Sequence, residues 1–254
     1  MLESQAWRIF SASVAGTRHN MQGLECQDAH AVGTLGDGTL IAAVADGAGS
    51  AVCAAAGAAC AVLTSIEYLK SRMASGPPSE PEGYRLLLLD TVEDARMALN
   101  RQCQREGAGR RLDDFATTLL IVIVTELWTS AIQIGDGAIV SRDPSGCFRV
   151  FSQPASSEYF NETTFLSSSD YKQLSVFNLV PSKEIDAIAM LTDGMQLLAF
   201  TSSDNSAYAP FFSPLLEFTC HRDSTNAELE AFLRSDRVCE RTDDDKTLIL
   251  AVRV

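Results

Sequence analysis

The sequence predicts an α+β fold, and three features carry that prediction. Two long helical stretches adjoin each other in the first half of the chain, short strand-like runs continue to the C-terminus, and no linker or low-complexity tract divides the 254 residues. Three of the strand-like runs also finish in Asp-Gly: "VADGAGS" at 44–50, "IQIGDGAIV" at 132–140 and "IAMLTDGMQ" at 188–196. The whole of 1–254 is expected to be one domain.

The elements follow in order. "WRIFSASVAGT" (7–17) alternates as a strand and stops at Gly16. "DAHAVGTL" (28–35) and "TLIAAVADG" (39–47) are strands joined by a Gly-Asp-Gly hairpin signal. Residues 51–73 are Ala-rich and free of Pro, which predicts a helix with Ser50 as its N-cap. "SGPPSEPEG" (75–83) is a loop, and apolar residues at helical spacing predict a second helix over about 84–105. Strands are expected at 116–125, 129–135, 138–142 and 147–152, then a polar, turn-rich stretch over 153–183. A strand at 187–192 leads into a short helix at about 194–200. After the loop "TSSDNSAYAP" come helices near 211–218 and 225–235, the second opened by a Thr225–Glu228 capping box. "DDDKTLILAVRV" sets three Asp before a terminal strand.

Composition narrows the function. A net charge of −13 repels nucleic acid and anionic membrane surfaces, so neither is an expected partner. The longest apolar run, "TTLLIVIVTELW", falls short of the ~20 residues of a membrane span. "MLESQAWRIF" has no apolar core of a signal peptide. Seven Cys without CxxC spacing read as reduced thiols, and a cytoplasmic setting is expected. Cys53 and Cys60 read as small buried hydrophobes on a helix.

The chemistry lies with Asp. A single Asp-Gly pair is ordinarily a turn, and Asp37 in "LGDGTL" reads that way, on the surface. Asp46, Asp136 and Asp193 differ, because each ends a run that must lie inside a sheet. A carboxylate there is costly to desolvate, and several together repel, unless a cation compensates. Hard cations such as Mg²⁺ and Mn²⁺ take such oxygen ligands. Gly47 lets the backbone approach, so its carbonyl can join them. Asp28 and the Asp243–Asp244–Asp245 run also sit at strand starts. A pair of metals ~3.5–4 Å apart can activate a water for attack on phosphorus. His19, His30 and His221 lack zinc-ligand spacing with Cys, and GxSxG and GxxxxGK[ST] are absent.

"CQDAH", "VADGAGS", "FATTLL", "IGDG", "LTDG" and "DDDKTLIL" follow the order and spacing of the protein phosphatase 2C family, the metal-dependent Ser/Thr phosphatases. The resemblance covers about 13–252, and "GTRHNMQGLECQDA" and "SSEYFNETTFLSS" resemble its compact bacterial branch. It implies a four-layer αββα sandwich, two antiparallel sheets flanked by helix pairs. It implies two Mn²⁺ or Mg²⁺ ions, with a third in bacterial members, and hydrolysis of phosphoserine and phosphothreonine by a water bridging the metals. By position, Asp46 resembles the bridging ligand, Gly47 the carbonyl ligand, and Asp193 and Asp244 the other direct ligands. Thr247 sets the register that selects Asp244 over its neighbours. Asp28 resembles the residue holding metal-bound water, Asp136 the third-metal residue shared with Asp193, and Thr117–Thr118 a structural pair.

Departures are Gln27 for the usual Glu, Gly23 at the position of a phosphate-binding Arg, Gly137 for a Ser, and a short flap over about 153–183. Arg18 and His19 are the nearby candidates for substrate phosphate. Implied partners are phosphorylated proteins, a bacterial Ser/Thr kinase and its substrates, with a monomer assumed. The alternatives are an inactive binding module of the same fold and a hydrolase of phosphotyrosine or small phosphate esters. A Ca²⁺-binding structural protein fits poorly, because the carboxylates are dispersed and no DxDxDG loop is present.

Overall fold

The computed structural model describes residues 7–107, 109–153 and 163–254. Part of the expected flap, residues 154–162, lies outside these. Two five-stranded antiparallel sheets form the centre. One runs β1 (Trp7–Val14), β10 (Lys246–Arg253), β9 (Ala187–Leu191), β6 (Ala138–Arg142), β7 (Phe148–Ser152). The other runs β2 (Asp28–Thr34), β3 (Leu40–Asp46), β4 (Leu119–Val124), β5 (Trp128–Ile134), β8 (Val176–Pro181). Helices α2 (Ala54–Arg72) and α3 (Pro81–Arg105) cover the second sheet; α5 (Ala209–Cys220), α6 (Asn226–Leu233) and α7 (Asp236–Cys239) cover the first. The expected αββα layering is observed.

The layering explains the unbroken apolar runs. In β3, Ile41, Ala43 and Ala45 pack toward α2 and α3, while Leu40, Ala42 and Val44 pack into the core between the sheets. Both faces of the strand are covered, so its period-2 pattern has no polar half. Ile188, Met190 and Ile249 of the opposite sheet meet Leu40 and Val44 in that core, whereas Ala187, Ala189 and Leu250 face the outer helices.

Several sequence expectations need correction. Val176–Pro181, inside the stretch read as turns, is the edge strand β8. Every one of its residues is half-buried and Asn178 sits at its centre, so it carries no alternation to read. A short helix, α1 (Thr17–Gln22), follows β1 where none was expected; it is polar and buries only His19. Ser50 does not cap α2, which starts at Ala54 with Cys53 at the N-cap. Residues 48–53 form turns instead, their N–H groups donating to Ala116, Ala48 and Asp114 carbonyls. Cys53 and Cys60 are half-buried rather than buried, and all seven Cys are free thiols. Helix α3 begins three residues early, on Pro81, whose fixed φ suits the first helical turn. The Thr225–Glu228 capping box is present, and Asp37 lies exposed in its turn, accepting from the Thr39 N–H at 3.0 Å.

Candidate active site

Strand ends from both sheets meet at one end of the sandwich. Antiparallel pairing sets Asp28, first in β2, opposite Asp46, last in β3. Asp136 lies in the β5–β6 turn, Asp193 just beyond β9 and Asp244 just before β10. One carboxylate oxygen each from Asp46, Asp136 and Asp193 lies within 4.8 Å of the others. These three line a cleft of about 170 Å³ with Gly47, Asp244, Asp245, Arg18, His19 and Gln27.

Asp46 is fixed through its backbone. Its N–H donates to Thr118 Oγ1 (2.8 Å), and its carbonyl accepts from the Thr118 N–H (2.8 Å) and Thr117 Oγ1 (2.9 Å). Both Thr side chains are buried, so the "TT" pair holds the Asp46 backbone. Gly47 donates its N–H to the Gln27 carbonyl at 3.1 Å. Asp136 accepts from Thr163 Oγ1 through Oδ2 (2.6 Å), and the Gln196 amide bonds its carbonyl. Asp28 is buried behind the cluster, where Thr192 Oγ1 donates to its Oδ2 at 2.7 Å. Ser13 Oγ links Thr247 Oγ1 (2.6 Å) and His30 Nδ1 (2.7 Å) in the same region, and burial lowers the His30 pKa.

The three acids at the C-terminal strand part company. Asp245 turns inward and accepts from the Gly16 N–H (2.6 Å), the Gln27 N–H (2.6 Å) and His19 Nδ1 (2.9 Å). It ties α1 and the start of β2 to β10. Asp244 faces the cleft and pairs with Arg18 Nη2 at 3.1 Å. Asp243 is exposed, and its carbonyl accepts the Arg18 N–H at 3.1 Å. The backbone of this run is gripped from two sides. A Cβ on Gly16 would lie 2.2 Å from the Asp243 carbonyl oxygen, and one on Gly194 would lie 1.9 Å from that of Asp245. Only Gly permits either approach.

Electrostatics mark the cluster as incomplete without a cation. Burial, then the charges of Asp28 and Asp193, pushes the Asp46 carboxyl up to about 11. Burial pushes Asp28 up to about 7 against the hydrogen bonds of Thr192 and Thr247. Asp193 is raised by burial and by Asp136. Among the described residues, Asp136 Oδ1 is buried without a hydrogen-bond partner, as is Gln27 Oε1. Buried acceptors of this kind, all oxygen, suit a hard divalent cation. The residues present therefore fit the metal centre that the motifs imply.

The structure brings Asp46, Gly47, Asp136, Asp193, Asp244, Arg18 and His19 to one cleft and leaves Asp28 beneath it. Sequence reading missed Thr163, Gln196 and Thr192. Thr192 had a signal, since it is the Thr of "LTDG"; Thr163 and Gln196 had none, because their roles depend on chain crossings.

Comparison with known proteins agrees with this geometry. Residues 15–234 match the family described as protein phosphatase 2C. Serine/threonine-protein phosphatase 3 of Escherichia coli (strain K12) is 34% identical over 260 residues, covering 97% of this chain and 98% of that protein. Among solved structures, the serine/threonine phosphatase Stp1 from Staphylococcus aureus superposes with a TM-score of 0.64 at 14% identity, over 100% of this chain and 98% of the other. The S. agalactiae serine/threonine phosphatase gives 0.63 at 17% identity, over 98% and 100%. The fold is thus that of these phosphatases, and the chain belongs to the protein phosphatase 2C family, the one its motifs resemble. It is a phosphoprotein phosphatase of a metal-dependent family, and its substrates are phosphorylated proteins.

Proposed function

We propose that this chain, acting as one domain over 1–254, hydrolyses phosphoserine and phosphothreonine in proteins with two Mn²⁺ or Mg²⁺ ions at the acidic cluster. The observation that carries the reading is the convergence of the Asp46, Asp136 and Asp193 carboxylates within 4.8 Å, with one Asp136 oxygen left without a hydrogen-bond partner among the described residues. A divalent cation pair, when bound, supplies compensating charge, a water of lowered pKa and Lewis-acid polarisation of the phosphoryl group. Asp46, Gly47, Asp193 and Asp244 are assigned as the groups that hold it. Asp28 and Asp136 are assigned as outer holders, through water and at a third site respectively.

The remaining residues position and screen. Thr117 and Thr118 lock the backbone that presents Asp46 and Gly47. Arg18 is half-exposed at the cleft rim on Asp244, placed to meet phosphoryl oxygens with its fork of donors. His19 is held on Asp245, so its part in substrate binding is to keep α1 and Arg18 in place. The E. coli relative's name supports the Ser/Thr assignment. A bacterial Ser/Thr kinase and its substrates are the proposed partners, in the cytoplasm; among the described residues no helix is long and apolar enough to cross a membrane.

The test compares phosphothreonine, phosphoserine and phosphotyrosine peptides with p-nitrophenyl phosphate, each with Mn²⁺, Mg²⁺ or EDTA. The expected result is metal-dependent phosphate release, with kcat/KM highest on the phosphothreonine and phosphoserine peptides. Equal or better turnover of phosphotyrosine would transfer the chain to the other phosphatase class, and no turnover by a folded protein would favour a binding module.

A further inference from the structure

A second hollow adjoins the acidic cleft. Asp193 and Asp244 line both, and the second runs as a trough past Gly194, Leu197, Arg241, Glu240 and Asp243. Leu197 and Arg241 also line a larger hollow of about 640 Å³. The hollow lies between α4 (Gln196–Ala199), α5, α6 and α7. Its walls are apolar, with Phe211, Leu215, Phe218 and Phe232. Leu197, at the junction, is 77% exposed.

A further observation says what would lie there. Arg237 and Arg241 are exposed on this rim, and among the described residues neither side chain has an ionic or hydrogen-bonding partner. At the hollow these two guanidinium groups outnumber the one lining carboxylate, Glu228, and offer charge complementarity to an acidic ligand there, whereas Glu240 and Asp243 line the trough that leads back to the cleft.

We propose that this trough binds the substrate segment flanking the phosphorylated residue. An aromatic or large aliphatic side chain of that segment fills the hollow, and an acidic side chain meets Arg241 or Arg237 at the junction. Asp193 and Asp244 line both the trough and the acidic cleft, which places the trough as a specificity surface for the same reaction; the proposal rests on the phosphoprotein reading given above.

The experiment uses the full chain with Mn²⁺, a phosphothreonine peptide flanked by Phe and Asp, the same peptide with those residues changed to Ala, and p-nitrophenyl phosphate. Native protein is expected to favour the Phe/Asp peptide by about tenfold or more in kcat/KM, the scale of one buried apolar contact. Leu197→Asp and Arg241→Glu, both exposed, are expected to lose that preference while p-nitrophenyl phosphate turnover stays within about twofold, the scatter of surface changes. Arg241→Glu should recover on a peptide with Lys in place of Asp. Equal use of both peptides by the native chain, or a preference untouched by either variant, would overturn the proposal. Fluorescence anisotropy of the labelled peptides in EDTA separates this from the phosphatase reading. Binding that weakens in Leu197→Asp without turnover of any substrate upholds the trough and sinks the phosphatase. A native dimer, by light scattering, that dissociates in Leu197→Asp would give the hollow to a second copy and overturn the proposal.

Discussion

Asp46 shows how much one residue's position depends on others. Its carboxylate reaches the cluster because three hydrogen bonds fix its backbone, two accepted from Thr117 and Thr118 and one donated to Thr118. Thr118→Val removes the acceptor for the Asp46 N–H, and an unpaired donor costs about 1–3 kcal/mol, readable in a urea titration. Asp245→Ala should cost at least as much, since three donors from two other segments lose one acceptor; its activity should fall with α1 displaced. Asp46, Asp136 and Asp193 were legible in the sequence, because a carboxylate ending an apolar run contradicts its surroundings, whereas Asp28, at a strand start, was legible only through the "CQDAH" motif. The difference between Asp243, Asp244 and Asp245 was not legible from the run itself, and only the Thr247 register favoured Asp244. Adjacent residues leave a turn in different directions, and the packing of Gly16 and Gly194 against that backbone decides which one faces the cleft.

At the scale of elements, the site is a junction of ends rather than the property of any one strand. Gly194→Ala tests this, because its Cβ would sit 1.9 Å from the Asp245 carbonyl oxygen. The two segments must separate, so metal-dependent turnover should drop sharply with circular dichroism little changed. Retention of full activity would mean that the Asp193 and Asp244 segments need not be in close contact. Elements packed on both faces, such as β3 and β4, announced themselves through continuous apolar runs. Helices α2 and α3 did so through Ala content and helical spacing. The edge strand β8 and the six-residue α1 did not, since neither buries a full face. Both matter: α1 carries Arg18 and His19, which is why those residues were noticed in the sequence without a place to put them.

For the whole molecule, four layers bring scattered carboxylates together at a cost that the folded chain carries as raised pKa values. Asp28 and Asp46 hold protons in the folded state that the unfolded chain has already released above the ordinary carboxylate range. Metal-free protein should therefore lose stability as pH rises from about 4 toward about 7 and beyond. A divalent cation replaces those protons, so the rise in Tm with Mn²⁺ should be larger at pH 8 than at pH 5.5. At a hundredfold excess over Kd it should reach roughly 5–10 °C for a chain of this size, by scanning calorimetry. A metal-free Tm that climbs with pH over that window would contradict the raised values. The central claim is that these carboxylates form a metal centre that does the chemistry. It is tested most directly by phosphate release from a phosphothreonine peptide, native chain beside Asp46→Asn and Asp193→Asn, with Mn²⁺ and with EDTA. The expected result is Mn²⁺-dependent release by the native chain, abolished by EDTA and reduced on the order of 10²-fold or more in both folded variants. Release that survives EDTA, or that either variant supports at the native rate, would contradict it.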